Sequence, residues 1–383
     1  MSIEIAQLSV EHHESGFAIE KPSPRLSWRY KATEVEGWEQ NAYEIVINRN
    51  DQEEKYRVES PQSVLVPWPS SPLVSRERVG VKARSFGKDG SFTPWAKVGI
   101  EVALLNKSDW KCKMITGPAQ DREAPKKPFR LRTRFSVGSL AGTARLYATA
   151  FGLYEVEING RRVGDQLLTP GWTSYDFHLN YQTYDISQYI REGENEITAH
   201  LAEGWYAGRL GKAYRNIWGD RLGFMGQVEI DGHVVCISDE SWRYLNSPIL
   251  DSEIYNGEVV DTAPSASLND PSEHFASILP FPQASLISSE APPVRRIQIV
   301  KPLEIITTPT GKRILDFGQN MVGYLRIERD FQEGSELGIR HAEVLENGEL
   351  GVRPLRTALA RALLKLGGPT KGWEPKFTFY GFR

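Results

Sequence analysis

Between Phe151 and Asp220 the chain alternates apolar and polar residues and then turns on Asn-Gly, a combination that leaves few folds open. Tyr154, Val156 and Ile158 alternate with Glu155 and Glu157, giving a strand one apolar face and one wet face. The strand runs into Asn159-Gly160, the pair best suited to positive φ at both centres of a type I′ hairpin, and Arg161 to Gly164 returns. The loop beyond is crowded with Trp172, Tyr175, Tyr181 and Tyr184. One helical turn is expected over Ser187 to Arg191 before Gly193, and the period of two resumes at Ile197, Ala199 and Leu201. Gly204-Trp205-Tyr206 and Arg209 follow. This pattern predicts half of an antiparallel β-sandwich with aromatic loops at one end. Sugars stack flat C–H faces on Trp and Tyr, and their hydroxyls take amide, carboxylate and guanidinium partners. Each of these rings has a competing role in packing, and Trp205 in particular is placed to seal the end of the sandwich.

The rest of the chain repeats the theme. At 383 residues it suits two or three domains of ~100–150 residues each. Short strands with turn punctuation fill the stretch from Ile3 to Leu105, with Tyr43, Ile45 and Ile47 alternating and Val79 to Phe86 alternating again. They predict an immunoglobulin- or fibronectin-like sandwich over 1–105, anchored by Trp28 and Trp95. Residues 106–128 read as a linker or connecting strand. Phe129 to Phe135 alternates strictly and should open a second sandwich, and Phe224 to Ile230 with Val234 to Ile237 should form a hairpin around Asp231-Gly232. Ser, Pro and Ala dominate 265–293, a second connector. Arg295 to Ile306, Leu315 to Ile327 and Leu337 to Val344 make a third β-rich unit over 293–383. Only Leu355 to Leu366, LRTALARALLKL, has spacing that favours a short helix. The expected fold is all-β, as tandem sandwiches: the immunoglobulin-like one over 1–105, a galactose-binding-like jelly roll over 106–292, and a further β-sandwich domain over 293–383.

Composition removes several functions. A net charge of −3 offers no basic field for nucleic acid. Cys112 and Cys236 are too few for a disulfide framework or a zinc cluster. His12-His13 would point to opposite faces of a strand with no third ligand near. No basic and apolar leader and no run of ~18 apolar residues is visible, so a cytoplasmic location is expected and no membrane partner.

The motifs ARLYATAFGLYEVEINGRRVGD, LTPGWTSYD, YQTYDIS, GENEI and GWYAGR resemble the N-terminal carbohydrate-binding sandwich of the bacterial and fungal α-L-rhamnosidases. LDFGQNMVGYLRI, RHAEVLENGEL and WEPKFTFYGFR resemble the next β-domain of that family, and the PRLSW opening fits its immunoglobulin-like module. Family members tend to carry an Ala-x-x-Thr-Asp-like strand near 355–372, where this chain has ALARALLKLGG. The resemblance implies hydrolysis of terminal α-L-rhamnosides with inversion. It places the two catalytic carboxyls in an (α/α)6 barrel beyond residue 383, so the expectation is a non-catalytic carbohydrate-binding and supporting portion that takes rhamnose-containing glycosides or polysaccharides. A stand-alone glycan-binding or scaffold protein is the alternative.

An inverting glycosidase needs two carboxyls roughly 6.5–9.5 Å apart, one kept protonated. Asp316 with Glu343 is the best pair on offer, but Asp316 bracing its own turn and Glu343 pairing with a neighbouring arginine are the stronger readings, and no residue is assigned catalysis. The resemblance further implies no required cofactor, and a calcium ion in the central sandwich. Calcium takes oxygen ligands from loops, and Asp165, Asp176, Asp220, Asp251, Glu258 and Asp261 are the carboxylates near aromatic turns. Among them Asp176 of TSYD is carried over as metal and sugar ligand, although Phe177 stands where a polar residue is usual. Trp172 and Tyr175 are the expected stacking residues, and Trp205, Tyr206 and Arg209 the expected contacts from the second loop.

Overall fold

Residues with a period of two become strands over most of this chain, but of Arg295 to Ile306, expected to be strand-like, only the end from Glu304 is strand. The computed structural model describes residues 3–383 apart from 14, 32–36, 141, 212–213, 263–273, 333 and 368–369, and their regular structure is almost wholly β. The chain packs as two compact units, residues 1–111 with 287–292, and residues 112–286 with 293–383.

The first unit holds β1 (Ile5–Val10), β2 (Phe17–Ile19), β3 (Leu26–Tyr30), β4 (Gln40–Arg49), β5 (Gln52–Val58), β6 (Arg78–Gly87) and β7 (Ala96–Val102). β1 pairs with β3, and the others form a five-stranded sheet in the order β2-β7-β6-β4-β5. Alternate residues of β4 and β6, among them Tyr43, Ile45, Ile47, Val79 and Val81, meet Leu26 and Trp28 in one core. Each such side chain stabilises the fold by roughly 1.5–3 kcal/mol through burial. Trp28 packs edge-on against Tyr43 at 5.1 Å between ring centroids and donates from Nε1 to Gln40 Oε1 at 3.0 Å. Trp95 does not join it. Ala83 and Ala96 face each other across β6 and β7, so the next pair along, Arg84 and Trp95, falls on the opposite side of the sheet. There the guanidinium lies 4.5 Å over the half-buried Trp95 ring. His12 lies in the turn after β1 and His13 makes a single bridge back to Val10, so neither is part of a strand.

The second unit opens with β8 (Met114–Thr116), inside the stretch expected to be a linker or connecting strand. β9 (Phe129–Val137), β10 (Ala144–Phe151), β11 (Leu153–Ile158), β12 (Arg161–Arg162), β13 (His178–Asp185), β14 (Gly193–Ala202), a helical turn α1 (Gly204–Ala207), β15 (Gly223–Ile230), β16 (His233–Ile237) and β17 (Arg243–Asn246) complete the sandwich. One sheet runs β12-β11-β14-β9-β17; the other contains β8-β15-β10-β13, with β16 on β15. Both predicted hairpins form. Asn159 and Gly160 take φ of 52° and 73° and close Ile158 onto Arg161, while Asp231 and Gly232 take 50° and 77° and close Ile230 onto His233. These are the positive values a type I′ turn requires. The helical turn expected at Ser187 to Arg191 is instead a simple turn, with Tyr189 N donating to Ile186 O at 2.9 Å.

Beyond the sandwich come β18 (Ile249–Glu253) and β19 (Gly257–Asp261). The Ser-, Pro- and Ala-rich stretch expected to connect domains contains β20 (Ser277–Leu279) and β21 (Ser285–Ser288), which extend the sheet of β8; its residues 263–273 lie outside the described ones. The last stretch holds β22 (Glu304–Thr307), β23 (Arg313–Asp316), β24 (Met321–Gly323), β25 (Ile327–Phe331), β26 (Ser335–Arg340), β27 (Val344–Glu346), β28 (Glu349–Gly351), β29 (Arg361–Leu366), β30 (Thr370–Trp373) and β31 (Tyr380–Phe382). A four-stranded sheet, β18-β19-β29-β26, is accompanied by two-stranded ribbons.

The helix expected over Leu355 to Leu366 is absent: a 3₁₀ turn at Arg353–Leu355 gives way to strand β29. β29 sits between β19, parallel to it, and β26, antiparallel. Ala362 and Leu364 point into the core and Leu363 points outward. Ladder bonds on both edges and burial of alternate residues outweigh a helix preference of at most about 0.7 kcal/mol per residue.

Candidate functional site

The aromatic residues singled out from the sequence come from two loops of the sandwich, residues 163–177 between β12 and β13 and residues 203–222 between β14 and β15. The first loop is pinned to β11: Tyr154 N donates to Thr169 O at 2.8 Å, and Thr169 Oγ1 donates to Tyr154 O at 2.6 Å. The second turns through α1 directly after β14, where Gly204 has φ of 49° and any Cβ would meet Leu153 at 2.4 Å. Only glycine fits, and that fixes where Trp205 and Tyr206 start.

The two loops meet ring to ring. Trp172 lies parallel to Trp205, with centroids 6.0 Å and planes 10° apart, and remains 57% exposed. Trp205 is partly buried against the cluster of Leu153, Ala202, Ile249 and Val260. Tyr175 is buried, donates its hydroxyl to Gly171 O at 3.0 Å, and packs against Tyr206 at 5.3 Å and Trp218 at 5.0 Å. Tyr206, also buried, stacks on Phe151 at 5.0 Å. Burial pushes the Tyr206 phenol up to about 12, and the Asp220 and Asp176 carboxylates act in the same direction. Both acids therefore lie within electrostatic reach of one hydroxyl. Asp176 itself is exposed beside Phe177, which is 70% exposed.

Of the six residues expected to contact sugar, Trp172, Trp205 and Asp176 thus stand at the surface or its edge, and Tyr175 and Tyr206 form the layer beneath. Arg209 is held elsewhere. Its Nε donates to Glu253 Oε1 at 3.0 Å, and its two terminal nitrogens donate to Asn256 Oδ1 at 3.1 Å and Thr357 Oγ1 at 3.2 Å. Arg215 joins Glu253 at 3.2 Å and Glu203 at 2.7 Å. Burial pushes Glu203 upward, against the pull of Arg215. This is a buried brace between the sandwich and the strands after it. Sequence reasoning missed Glu203, Arg215 and Glu253, as well as Trp218 and Phe151; a charge beside Gly204-Trp205 within an otherwise apolar strand end was the available signal.

The other carboxylates considered for calcium are scattered. Asp165 pairs with Arg295 at 3.0 Å and Asp220 with Arg122 at 3.6 Å, while buried Glu258 accepts from the backbone N–H of Phe377 and Lys376. Among the described residues no three His, Cys, Asp or Glu side chains gather as a metal site. Asp316 accepts from Gly318 N at 2.7 Å and pairs with Arg383 at 3.2 Å; the Gly318 N–H first, then Arg383, hold its carboxyl below the usual range. That is the opposite of what a general acid needs.

Three family models match successive stretches: a Rha78A-like N-terminal immunoglobulin domain over residues 5–106, the α-L-rhamnosidase N-terminal domain over 140–298, and the bacterial α-L-rhamnosidase concanavalin-like domain over 306–383. An α-L-rhamnosidase of Formosa agariphila is 33% identical over 96% of this chain and 43% of its own length. One from Alteromonas sp. is 30% identical over 94% of this chain and 42% of its own. The crystal structure of native α-L-rhamnosidase from Aspergillus terreus superposes on all of this chain with a TM-score of 0.93 and 42% identity, over 46% of that chain. The chain therefore spans less than half the length of these relatives, and with three of the family's domains matched in order along it, it belongs to the α-L-rhamnosidase family.

Proposed function

We propose that this chain is the carbohydrate-binding and supporting N-terminal portion of a protein acting on terminal α-L-rhamnosides, and that it supplies no catalytic group of its own. The observation carrying the binding half is the Trp172–Trp205 stack, which turns one face of a rigid indole to solvent at the loop end of the sandwich. A deoxyhexose has an apolar face for such a ring and hydroxyls for Asp176 and the loop backbone. Tyr175 and Tyr206 hold the two loops in register beneath it, and Arg209 fixes the base of the second loop through its brace. The names of the relatives, all α-L-rhamnosidases, favour rhamnose as that sugar.

Calcium enters this reading at Asp176. The six carboxylates do not gather into a cage, so an ion there would depend on Asp176, on loop hydroxyl and carbonyl oxygens, and on Asp220 if it leaves Arg122. Titrating L-rhamnose into the protein by calorimetry, with calcium and with chelator, tests both parts. Trp172→Ala should weaken binding about tenfold, the equivalent of ~1.4 kcal/mol, and Asp176→Ala should remove any calcium-dependent increment. Absence of saturable binding in either condition would remove the binding half of the proposal.

A further inference from the structure

Half-buried Trp38 stands just before β4 and forms one wall of a cleft in the first unit. Its Nε1 donates to Ser91 Oγ at 2.8 Å. Ser91 is fixed in turn by Asp89, whose Oδ1 accepts from Ser91 N at 3.0 Å and from Ser91 Oγ at 2.7 Å. A Cβ on Gly87 would meet the indole nitrogen at 2.5 Å, so a glycine at the end of β6 is what lets the ring lie there. Tyr30 meets Trp38 edge-on, with centroids 5.1 Å and planes 69° apart. Buried Gln40 is the floor. Its Oε1 accepts from Tyr30 Oη, from Trp28 Nε1 at 3.0 Å and from Ser85 Oγ at 2.7 Å, and its Nε2 donates to Ser60 O at 3.0 Å and Gln62 O at 2.8 Å. With that carboxamide fully engaged, both rings are anchored from below. The cleft has a volume of about 450 Å³, within the ~300–1,000 Å³ typical of small-molecule sites. Its open side is polar, with Glu39, Asn41 and Lys88 all exposed. Lys88 N donates to Glu39 O at 3.1 Å, and the Lys88 ammonium pairs with the Glu39 carboxylate.

We propose that this cleft is a second saccharide site, taking one neutral hexopyranose residue whose flat C–H face lies on the Trp38 indole. An aromatic wall suits that face. The ion pair sets a carboxylate acceptor beside an ammonium donor, which a vicinal diol meets with one O–H and one oxygen lone pair. The Asn41 carboxamide offers a donor and an acceptor next to them. Because Glu39 already neutralises Lys88, the rim has no spare positive charge for a uronic acid or a phosphate. All of these groups lie within residues 30–91 of the first unit, so the inference goes beyond the Trp172–Trp205 face and does not rest on it.

Fluorine NMR of the full chain labelled with fluorotryptophan tests the site, with Trp38→Phe and Trp172→Phe assigning two of the ten tryptophan resonances. Methyl β-D-glucopyranoside, titrated to about 100 mM, should shift the Trp38 resonance to saturation, a millimolar interaction. Asn41→Ala and Lys88→Ala should each weaken that response about fivefold, the loss of one hydrogen bond. Both positions are exposed, so the melting temperature should stay within about 1 °C. The response of Trp172 to L-rhamnose should be the same in both variants as in the parent chain, which separates this site from the other. A Trp38 resonance that never moves, or that moves as readily in both variants, would overturn the proposal. So would a stronger response to methyl β-D-glucuronide than to the glucoside, since the rim would then be reading a carboxylate.

Discussion

The sandwich over 112–246 and the strands over 293–383 are built from similar amounts of β-structure per residue, yet they are stabilised differently. In the sandwich, β10 and β15 are buried along nearly their whole length, and each sheet supplies neighbours on both edges of its inner strands. In the later stretch most strands have one partner, and order comes from outside the ribbon: Tyr380 Oη donates to Arg361 O, Lys376 pairs with Glu155 of the sandwich, and Arg209 reaches Thr357. A wide sheet holds its own register, whereas a ribbon takes its register from what it packs on.

Cutting the brace should have the largest effect on this arrangement. Glu253 is 2% exposed and receives two guanidinium groups. Glu253→Ala removes the carboxylate from Arg209 and leaves Arg215 on Glu203 alone, and should cost about 3–5 kcal/mol, read as a lowered urea midpoint; a loss below about 1 kcal/mol would mean the brace carries little. The next effect is on pH dependence. Burial pushes Glu258 up to about 7, against the N–H groups of Phe377 and Lys376. Its folded pKa lies above the usual 4.5, so the folded state binds the proton more tightly. That contribution, of order 3 kcal/mol, is complete below pH 4.5 and is lost as pH rises through 7. Buried His341 works from the other side. Its imidazole is pushed down to about 4 by burial, so its contribution is present above the usual 6.5 and lost as pH falls through 4. Unfolding free energies measured from pH 4 to 9 should flatten on the alkaline limb in Glu258→Gln; an unchanged limb would assign the loss to other groups.

The smallest effect sharpens the contrast between sheet and ribbon. Gly160 closes a sandwich hairpin with φ of 73°, and Gly348 closes the β27–β28 ribbon with φ of 77°. Alanine at either costs about 1–2 kcal/mol of local strain. For Gly160→Ala the full cost should appear in global unfolding. For Gly348→Ala less should appear, because the ribbon can open by itself; hydrogen exchange of Val344 to Gly351 would rise instead. Equal global losses at both positions would erase the distinction.

The same distinction explains what could be read from the sequence. Tyr154, Val156 and Ile158 declared their strand because one face of a wide sheet is buried and the other is not, and Asn159-Gly160 declared its turn through backbone sterics alone. Trp95 was misplaced because alternation gives the period but not which face a residue at a strand end takes. ALARALLKL reads as helix locally and becomes β29 through β19, about a hundred residues earlier in the chain, a partner invisible to any local window. Asn347-Gly348 went unused because its flanking strands are too short to show a period. At the site, Trp172, Trp205 and Asp176 were legible as residue types suited to sugars. The engagement of Arg209 was not, since Glu253, Asn256 and Thr357 converge on it only through the fold.

These β-layers are proposed to hold a sugar without cleaving it. The most direct measurement is to follow one sample of the protein with an aryl α-L-rhamnoside, recording saturable quenching of tryptophan fluorescence and release of the aryl alcohol together. Saturable quenching that Trp172→Ala weakens, with no alcohol released above the buffer rate, is the predicted result. Turnover that Asp316→Asn or Glu343→Gln abolishes would contradict it.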